Sequence, residues 1–243
     1  MLNILKSIKR LIFNFLMKIS RDPYLTRFRL NKLIKKNRAL LSSCYSKDKA
    51  ASVEDLVSYA VENLEGDLAE CGVYEAGGTI MMAEVLKQKK SNKHIFAFDS
   101  FTGMPEPTEF DKMHNGHIHY IKGILQDTSL KLVQAKARHF KVENSITFVK
   151  GFFQDTLPVT IAADSKFSLV VIDPDQYLGT KCCLEFFYPK LVRGGIIIID
   201  DYLIPDVSKL DTPGVKIAVD EFLASKPEKP MHLADSMYYL IKQ

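Results

Sequence analysis

Two short runs made almost wholly of Leu, Val and Ile constrain the fold more than any other feature of this sequence. Leu169–Ile172 and Ile196–Ile199 contain no polar residue. Runs of this kind are typical of central strands that are buried on both faces of a parallel sheet. Each run is followed directly by aspartate, Asp173 after the first and Asp200 and Asp201 after the second. We therefore expect a parallel sheet with acidic side chains at the ends of its central strands.

Short apolar runs and helical stretches alternate along residues 51–243, which is typical of a doubly wound, mostly parallel α/β sheet. The predicted strands are Leu68–Val73, His94–Phe98, Ile146–Val149, Leu169–Ile172, Gly195–Ile199 and Met237–Ile241, the last in a short hairpin-like segment. The predicted helices are Val53–Asn63, Thr79–Lys87, Leu130–Phe140, Lys181–Leu191 and Val215–Ala224. We expect one α/β domain over residues 51–243, preceded by a helical arm over residues 1–50.

The arm is strongly basic. Residues 1–50 contain thirteen Lys or Arg residues against Asp22 and Asp48, a net charge of +11, which leaves −7 for the rest of a chain whose formal charge is +4. An amphipathic helix is predicted from apolar residues at helical spacing, which are Leu5, Ile8, Ile12, Phe15 and Ile19. Such a helix can lie on an anionic membrane surface through residues 1–40, dock on the acidic body of the chain, or pack on a second copy in a homo-oligomer, and the sequence leaves these open. The basic run Arg27–Arg38 lacks the interleaved aromatic residues of a nucleic-acid surface, so we expect no nucleic-acid partner.

The compartment is inferred from the first 20 residues and from the cysteines. Basic residues interrupt the apolar stretch before it reaches the roughly 20 residues of a membrane span, and no small-residue cleavage site follows it. The spacing of Cys44, Cys71, Cys182 and Cys183 matches neither a zinc site nor a disulfide framework. A reducing, cytoplasmic compartment is therefore expected, with peripheral membrane contact as an open alternative.

The turn Glu70–Thr79 joins the first predicted strand to its helix and is rich in small residues. Small residues let the backbone approach a ligand closely, and the start of a helix offers free N–H groups. Asp99 follows Gly78 by 21 residues, near the spacing at which an acid meets a ribose hydroxyl in nucleotide-binding folds. The turn lacks the spacing of a phosphate loop, so a nucleoside cofactor without phosphates fits better than ATP. An ordinary strand-to-helix turn remains the alternative.

Four carboxylates follow two of the predicted central strands: Asp173, Asp175, Asp200 and Asp201. Like charges this close repel unless a cation or a proton intervenes, and hard divalent cations such as Mg²⁺ prefer oxygen ligands. A cation there could hold two hydroxyls of a substrate and lower the pKa of one, while a neighbouring carboxylate takes its proton. Capping of the following helices is the alternative role for these aspartates.

Three histidines, His114, His117 and His119, lie in a polar stretch between the second strand and the next long helix. Their spacing could bind zinc, but no cysteine or further histidine lies nearby to complete the set. A solvated loop that covers the active site is the favoured interpretation.

The residues that carry a family resemblance occur as six blocks in order from about Gly66 to the C-terminus. The blocks are Glu70-Cys71-Gly72-Val73-Tyr74 with Gly77-Gly78, Phe98–Pro105, Lys150–Pro158, Ile172-Asp173-x-Asp175-x-Tyr177, Gly194-Gly195 with Asp200-Asp201-Tyr202, and Ala218–Phe222. With these blocks the chain resembles the TylF-like, or macrocin O-methyltransferase, family, whose S-adenosylmethionine (SAM)-dependent enzymes methylate sugars of macrolide and aminocoumarin antibiotics.

The resemblance implies a Rossmann-like class I methyltransferase fold, SAM as cofactor and Mg²⁺ or another divalent cation. It implies that the cofactor is bound by Glu70, Gly72, Tyr74, Gly78, Thr79, Asp99, Ser100, Gly103, Gln154 and Asp155. By this resemblance, the methionine end of SAM is bound by Glu70, Gly72 and Gly78. The ribose is bound by Asp99 and Ser100, and the adenine lies near Gln154 and Asp155. It assigns the metal to Asp173, Asp200 and Asp201, with Asp173 as the base and Asp175 as a second catalytic carboxylate.

The chain departs from the family pattern at several positions near the substrate. Glu75 stands where an arginine is usual, Pro174 and Gly179 replace a small flexible residue and a serine, and Gln176 replaces the histidine of some relatives. A metal-dependent O-methyltransferase of a sugar or glycosylated natural product is expected. The departures leave open a catechol-type or N-methyltransferase of the same fold, or a non-catalytic SAM-binding scaffold that its basic arm recruits.

Overall fold

A seven-stranded sheet organises the part of the chain that the computed structural model describes, residues 47–204 and 210–243. The strands are β1 (Asp67–Cys71), β2 (Ile95–Asp99), β3 (Ile146–Lys150), β4 (Phe167–Ile172), β5 (Leu191–Ile199), β6 (Met231–Ala234) and β7 (Met237–Ile241). The helices are α1 (Lys47–Asn63), α2 (Gly77–Lys89), α3 (Leu130–Phe140), α4 (Phe153–Thr160), α5 (Tyr177–Phe187) and α6 (Pro213–Leu223). Short 3₁₀ turns lie at Glu109–Asp111, Glu143–Ser145 and Tyr188–Lys190.

The strand order is β3-β2-β1-β4-β5-β7-β6. Strands β1 to β5 are mutually parallel, whereas β7 is antiparallel to both β5 and β6. All six residues of β4 are buried, as are Ile196–Ile199 of β5, so both are central strands as the sequence predicts. The predicted doubly wound, mostly parallel α/β sheet is therefore confirmed. The order reverses between β1 and β4, and ligands of such sheets bind at the carboxyl ends of the strands beside this reversal.

Three elements begin four or more residues earlier than predicted, and a helix and a strand were not predicted. Helix α1 begins at Lys47 rather than at 53. Helix α5 begins at Tyr177 rather than at 181, because Asp111 from a distant segment accepts a hydrogen bond from the Tyr177 amide. Strand β5 begins at Leu191 rather than at 195, since a register shift in its pairing with β4 lets the strand continue. Helix α4 was missed because it is only eight residues long and contains Pro158, and β6 because it is a short edge strand.

The predicted basic arm lies almost wholly outside the described residues, and so does Cys44. Its predicted boundary at residue 50 falls within α1, and the division of the chain stays a prediction. No helix within residues 47–204 and 210–243 is both long and apolar enough to cross a membrane.

Gly72 is the residue at which β1 meets the end of β4. Its φ is +92°, and a Cβ placed on it would lie 1.9 Å from the carbonyl oxygen of Asp173. The Asp173 amide donates a hydrogen bond of 2.8 Å to the Cys71 carbonyl, and the Gly72 amide donates one of 3.0 Å to Phe98. The two strand ends therefore meet this closely only when position 72 has no side chain.

Replacing Gly72 with alanine is expected to lower the free energy of unfolding by at least about 3 kcal/mol, because the new methyl overlaps the Asp173 backbone and because the positive φ is strained. Urea unfolding measures the loss. Gly116→Ala is the matched control, since Gly116 also has a positive φ of +80° but nothing lies within 4 Å of its added Cβ. The control should lose only about 1 to 2 kcal/mol. Equal losses in both variants would contradict the close-approach explanation.

Candidate active site

A cleft of about 640 Å³ lies over the carboxyl ends of β1, β2, β4 and β5, where the strand order predicts a ligand site. One wall is formed by the loops after β1 and β2, at Gly72, Tyr74, Asp99, Ser100 and Gly103. A second wall is formed by Gly151–Gln154. Further lining residues are Lys49, Met104–Glu106, Tyr120, Leu125, Asp173–Gln176, Leu178, Gly179, Cys182, Asp200 and Asp201.

Asp99 holds two of these loops in place. Its Oδ2 accepts hydrogen bonds from the amides of Val73 (2.9 Å) and Tyr74 (2.8 Å), and its Oδ1 accepts one from the amide of Phe101 (2.7 Å). Tyr74 and Phe101 both have positive φ, of 45° and 49°. The carboxylate therefore stabilises two strained residues at the mouth of the cleft. Three backbone donors also occupy much of its accepting capacity.

The start of α2 lacks a side-chain cap from its N-cap residue. Its N-cap residue, Ala76, has a φ of 64° and contributes no side-chain hydrogen bond. Beneath the turn, the Thr79 hydroxyl donates to the Glu70 carboxylate, and both side chains are buried. Burial raises the pKa of Glu70 to about 8, and the charge of Asp99 adds to the effect while the Thr79 hydrogen bonds oppose it.

Asp173, Asp175, Asp200 and Asp201 meet at the floor of the cleft. Burial raises the pKa of Asp173 and of Asp175 well above the usual range, and the negative charges of the other aspartates raise both further. The pKa of Asp201 is raised by burial and by the charge of Asp200. Their ionisation is therefore costly unless a positive charge is close.

Lys49, from the first turn of α1, supplies a positive charge at this floor. Its Nζ lies 2.6 Å from Asp200 Oδ1 and 3.9 Å from Asp201 Oδ1. The Ser236 hydroxyl, from the turn between β6 and β7, donates to Asp200 Oδ1 (3.1 Å) and Asp201 Oδ1 (2.8 Å). The Asp201 amide also donates to Asp200 Oδ1, at 2.8 Å. The Lys49 ammonium, the Ser236 hydroxyl and the Asp201 amide therefore share one oxygen of Asp200, Oδ1.

Asp175 and Asp201 both have left-handed backbone conformations, with φ values of 59° and 54°. Aspartate tolerates this region better than most residues, but it is uncommon, and such residues cluster at functional sites. Gly179, in the first turn of α5, packs closely against Pro174 in the same part of the cleft. A Cβ added to Gly179 would lie 2.7 Å from the Pro174 side chain.

The segment between β2 and α3 covers the cleft and is fixed to α5 at two points. Buried Gln176 donates through Nε2 to the carbonyls of Tyr120 (2.8 Å) and Pro105 (3.3 Å). Buried Asp111 accepts the Tyr177 amide at 2.7 Å. A Cβ on Gly214 would lie 2.0 Å from Asp111 Oδ1, so α6 also holds the cover in position.

The structure brings ten of the predicted site residues to the cleft: Gly72, Tyr74, Asp99, Ser100, Gly103, Gln154, Asp173, Asp175, Asp200 and Asp201. Glu70, Gly78, Thr79 and Asp155 are not among its lining residues. Asp155 is exposed in the first turn of α4, where a carboxylate suits the helix dipole. The histidines of the cover, His114, His117 and His119, are exposed.

Sequence reasoning missed Lys49, Ser236 and Asp111, and treated Gln176 only as a departure from the family. A signal for Lys49 did exist, because four clustered carboxylates need a cation and a lysine of the chain can provide one. Within residues 47–204 and 210–243, no three His, Cys, Asp or Glu side chains are arranged so that they could together hold a metal ion.

Comparisons with known proteins agree with this geometry. The sequence profile of the macrocin O-methyltransferase (TylF) family matches residues 46–239. The 8-demethyl-8-(2,3-dimethoxy-alpha-L-rhamnosyl)-tetracenomycin-C 4'-O-methyltransferase of Streptomyces olivaceus is 34% identical over 163 residues, which are 62% of this chain and 60% of that protein. The mycinamicin III 3''-O-methyltransferase of Micromonospora griseorubida is 32% identical over 149 residues, 59% of this chain and 58% of that protein. The chain thus spans about three fifths of the length of the curated relatives it matches.

Solved structures share the fold. The O-methyltransferase NovP superposes with a TM-score of 0.68 and 25% identity, covering 82% of this chain and 81% of that one. The calicheamicin methyltransferase CalS11 superposes with a TM-score of 0.66 over 89% of this chain and 91% of that one, and its 21% identity supports the fold alone. The predicted Rossmann-like class I methyltransferase fold is therefore confirmed.

The buried Glu70 carboxyl is expected to make stability fall as pH rises. Its pKa in the folded protein is about 8 against 4.5 for an ordinary glutamate, so the folded state binds more protons than the unfolded state between these values. The contribution of the protonated Glu70 carboxyl to the free energy of unfolding is complete below pH 4.5. It is lost at up to about 1.4 kcal/mol per pH unit as the pH rises through 8. Glu70→Gln should remove this slope from the free energy of unfolding, measured by urea titration from pH 5 to 9. Glu143→Gln, at an exposed glutamate, should keep it. An unchanged slope in Glu70→Gln would contradict the assignment.

Proposed function

Because the chain belongs to the macrocin O-methyltransferase (TylF) family, we propose that it transfers a methyl group from SAM to a hydroxyl of a sugar or a glycosylated natural product. One observation carries the proposal: a single cleft joins the glycine turn after β1 to the acidic ends of β4 and β5. The first feature suits a nucleoside cofactor, and the second suits activation of a hydroxyl. The Streptomyces olivaceus relative, by its name, methylates a rhamnosyl tetracenomycin.

We propose that the cofactor lies along the wall formed by Gly72, Tyr74, Asp99, Ser100 and Gly103, with Gln154 near its adenine. The support is that these five residues line one side of the cleft, next to a helix whose N-cap residue contributes no side-chain hydrogen bond. SAM supplies an electrophilic methyl group there.

The predicted cofactor contacts that do not line the cleft have a different part in the proposal. Glu70 and Thr79 bond to each other beneath the turn, and Gly78 is buried in α2. We propose that all three support the turn whose backbone faces the cofactor. The predicted contact between Asp155 and the adenine rests on the resemblance alone.

Methylation of a hydroxyl requires that the oxygen lose its proton as the new O–C bond forms, so the chain must supply a proton acceptor. We propose Asp173 and Asp175 for this step. Burial and neighbouring charges raise the pKa of both, which brings them closer to the pKa that suits a base near neutral pH.

We propose that Asp173, Asp200 and Asp201 bind a divalent cation such as Mg²⁺. The donor set suits it, because all three ligands are carboxylates and their mutual repulsion at the cleft floor favours a cation. The chemistry that a divalent cation supplies at such a site is polarisation of the acceptor hydroxyl, which lowers its pKa.

The acceptor side of the cleft has an apolar rim, which favours a glycosylated natural product over a free sugar. Phe152 is 36% exposed and Leu178 is 56% exposed, and both line the cleft. A sugar hydroxyl that reaches the aspartates would leave its apolar aglycone against this rim, where burial of apolar surface stabilises binding.

The direct test is transfer of label from methyl-labelled SAM to a panel of acceptors with Mg²⁺ present. The expected result is labelling of aryl rhamnosides, which carry neighbouring hydroxyls and an apolar aglycone, with loss of labelling in EDTA and recovery on added Mg²⁺. Transfer to simple catechols or amines instead would replace the sugar with those acceptors. SAM binding without transfer to any acceptor would favour a non-catalytic scaffold. Transfer that EDTA leaves unchanged would show that the reaction needs no divalent cation.

Asp173→Asn and Asp175→Asn are each expected to lower kcat by about 10² to 10⁴, the range for loss of a general base. If Asp173 also binds the cation, its variant alone should require more Mg²⁺ for half-maximal activity. Exposed Asp164→Asn is the control and should match the unchanged protein. Calorimetry with SAM should give similar affinities throughout. Full activity in Asp175→Asn would leave Asp173 as the base.

Three expectations from the sequence stay predictions: a homo-oligomer, membrane contact through residues 1–40 and a cytoplasmic location. The first two concern the arm, of which residues 1–46 lie outside the described residues.

A further inference from the structure

Lys49 reaches the carboxylate cluster from outside the strand ends that build it. It lies in the first turn of α1, 151 residues before Asp200 in the chain. The Lys49 side chain is 10% exposed and that of Asp200 is 5% exposed, and their charged atoms are 2.6 Å apart. A buried ion pair this short is a specific contact, unlike the exposed lysine pairs elsewhere on the surface.

The charges around Lys49 keep its ammonium protonated. Burial alone would lower its pKa, but the charges of Asp200 and Asp201, the hydrogen bond to Asp200 and the charge of Asp173 outweigh it, so the pKa is raised. Lys49 thus places a positive charge among four carboxylates that repel one another.

The ammonium bonds to the same carboxylate that is proposed as a metal ligand. Asp200 Oδ1 already accepts hydrogen bonds from Lys49, Ser236 and the Asp201 amide. A divalent cation a few ångströms from an ammonium meets strong repulsion in a site partly shielded from water. The two cations therefore cannot share this corner of the cleft at low cost.

We infer that Lys49 is the built-in counter-ion of the carboxylate cluster and that it competes with the divalent cation for Asp200. The inference rests on the metal part of the proposed function. It assigns the lysine a positioning role. Lys49 holds Asp200 and Asp201 in place while the divalent cation is absent, and its ammonium leaves Asp200 when the cation binds.

The inference is tested by measuring the affinity of the full chain for Mn²⁺ in the absence of SAM and acceptor. Electron paramagnetic resonance of the free ion reports how much Mn²⁺ remains unbound. Lys49→Met should bind Mn²⁺ at least tenfold more tightly than the unchanged protein, because it removes a positive charge and frees Asp200. Lys49→Arg, which keeps the charge, should bind as the unchanged protein does. Lys136→Met is the matched control, since Lys136 is also buried and paired with a carboxylate, 2.8 Å from Glu75. Its Mn²⁺ affinity should not change.

Thermal unfolding gives a second readout. Without divalent cations Lys49→Met should melt below the unchanged protein, and saturating Mg²⁺ should raise its Tm by more than it raises that of the unchanged protein. Equal or weaker Mn²⁺ binding by Lys49→Met overturns the inference, as does failure of both proteins to bind Mn²⁺ at millimolar concentration.

A measurement on the unchanged protein keeps the test valid if Lys49→Met fails to fold. In protein labelled with ¹⁵N at lysine Nζ, the Lys49 signal is the one that Lys49→Arg lacks. Added Mg²⁺ should shift it, and a signal that saturating Mg²⁺ leaves in place contradicts displacement. Methyl transfer is measured separately, so the two proposals can fail independently. If the unchanged protein methylates an acceptor but Lys49→Met shows no gain in Mn²⁺ affinity, only this inference is overturned. A tenfold gain in a protein that methylates no acceptor supports it while the proposed function fails.

Discussion

The mutual repulsion of the carboxylates at the ends of β4 and β5 is the constraint on which the site depends. The parallel pairing of these strands places Ile172 beside Ile199, so the aspartates that follow each strand must lie together. Burial then raises the pKa of Asp173, Asp175 and Asp201. Such a cluster is stable only with protons, an ammonium or a metal ion among its members, and each choice gives the cleft a different chemistry.

The backbone around the cluster carries strain that ordinary strand ends do not. Asp175 and Asp201 lie in the left-handed region, and Gly72 lets β1 approach the Asp173 carbonyl to a distance that no side chain permits. These features are costly for folding and bring the cofactor turn and the acidic floor into one cleft. Strain that persists beside a ligand site is usually held there by the surrounding packing, here strand β4, which is buried throughout, and the last four residues of β1, which are also buried.

The sequence predicted the sheet and the acidic floor because both depend on local patterns. The apolar runs define β4 and β5, and the aspartates that follow them need only the parallel order to converge. Lys49 was not singled out, since it was one of thirteen basic residues in a segment for which the sequence left open an anionic partner, a second copy and the acidic body of the same chain. The cap that Asp111 gives to α5 was equally hidden, because it joins residues 66 positions apart and depends on Gly214 in a third element. Local patterns contain no information about such contacts, which only the packing of distant segments creates.

The floor and the cover of the cleft are joined through one short stretch of chain. Asp173 and Asp175 belong to the floor, the next residue, Gln176, holds the carbonyls of Pro105 and Tyr120, and the amide after it binds the cover again. Any movement of Asp173 or Asp175 therefore acts on the backbone that fixes the cover. Gln176 occupies the position at which the family resemblance gives some relatives a histidine. Its side chain is an amide that is not ionisable and that donates to two carbonyls of the cover. Residues 173–177 therefore join the acidic floor of the cleft to the segment that covers it, so a substitution in this stretch is expected to affect both.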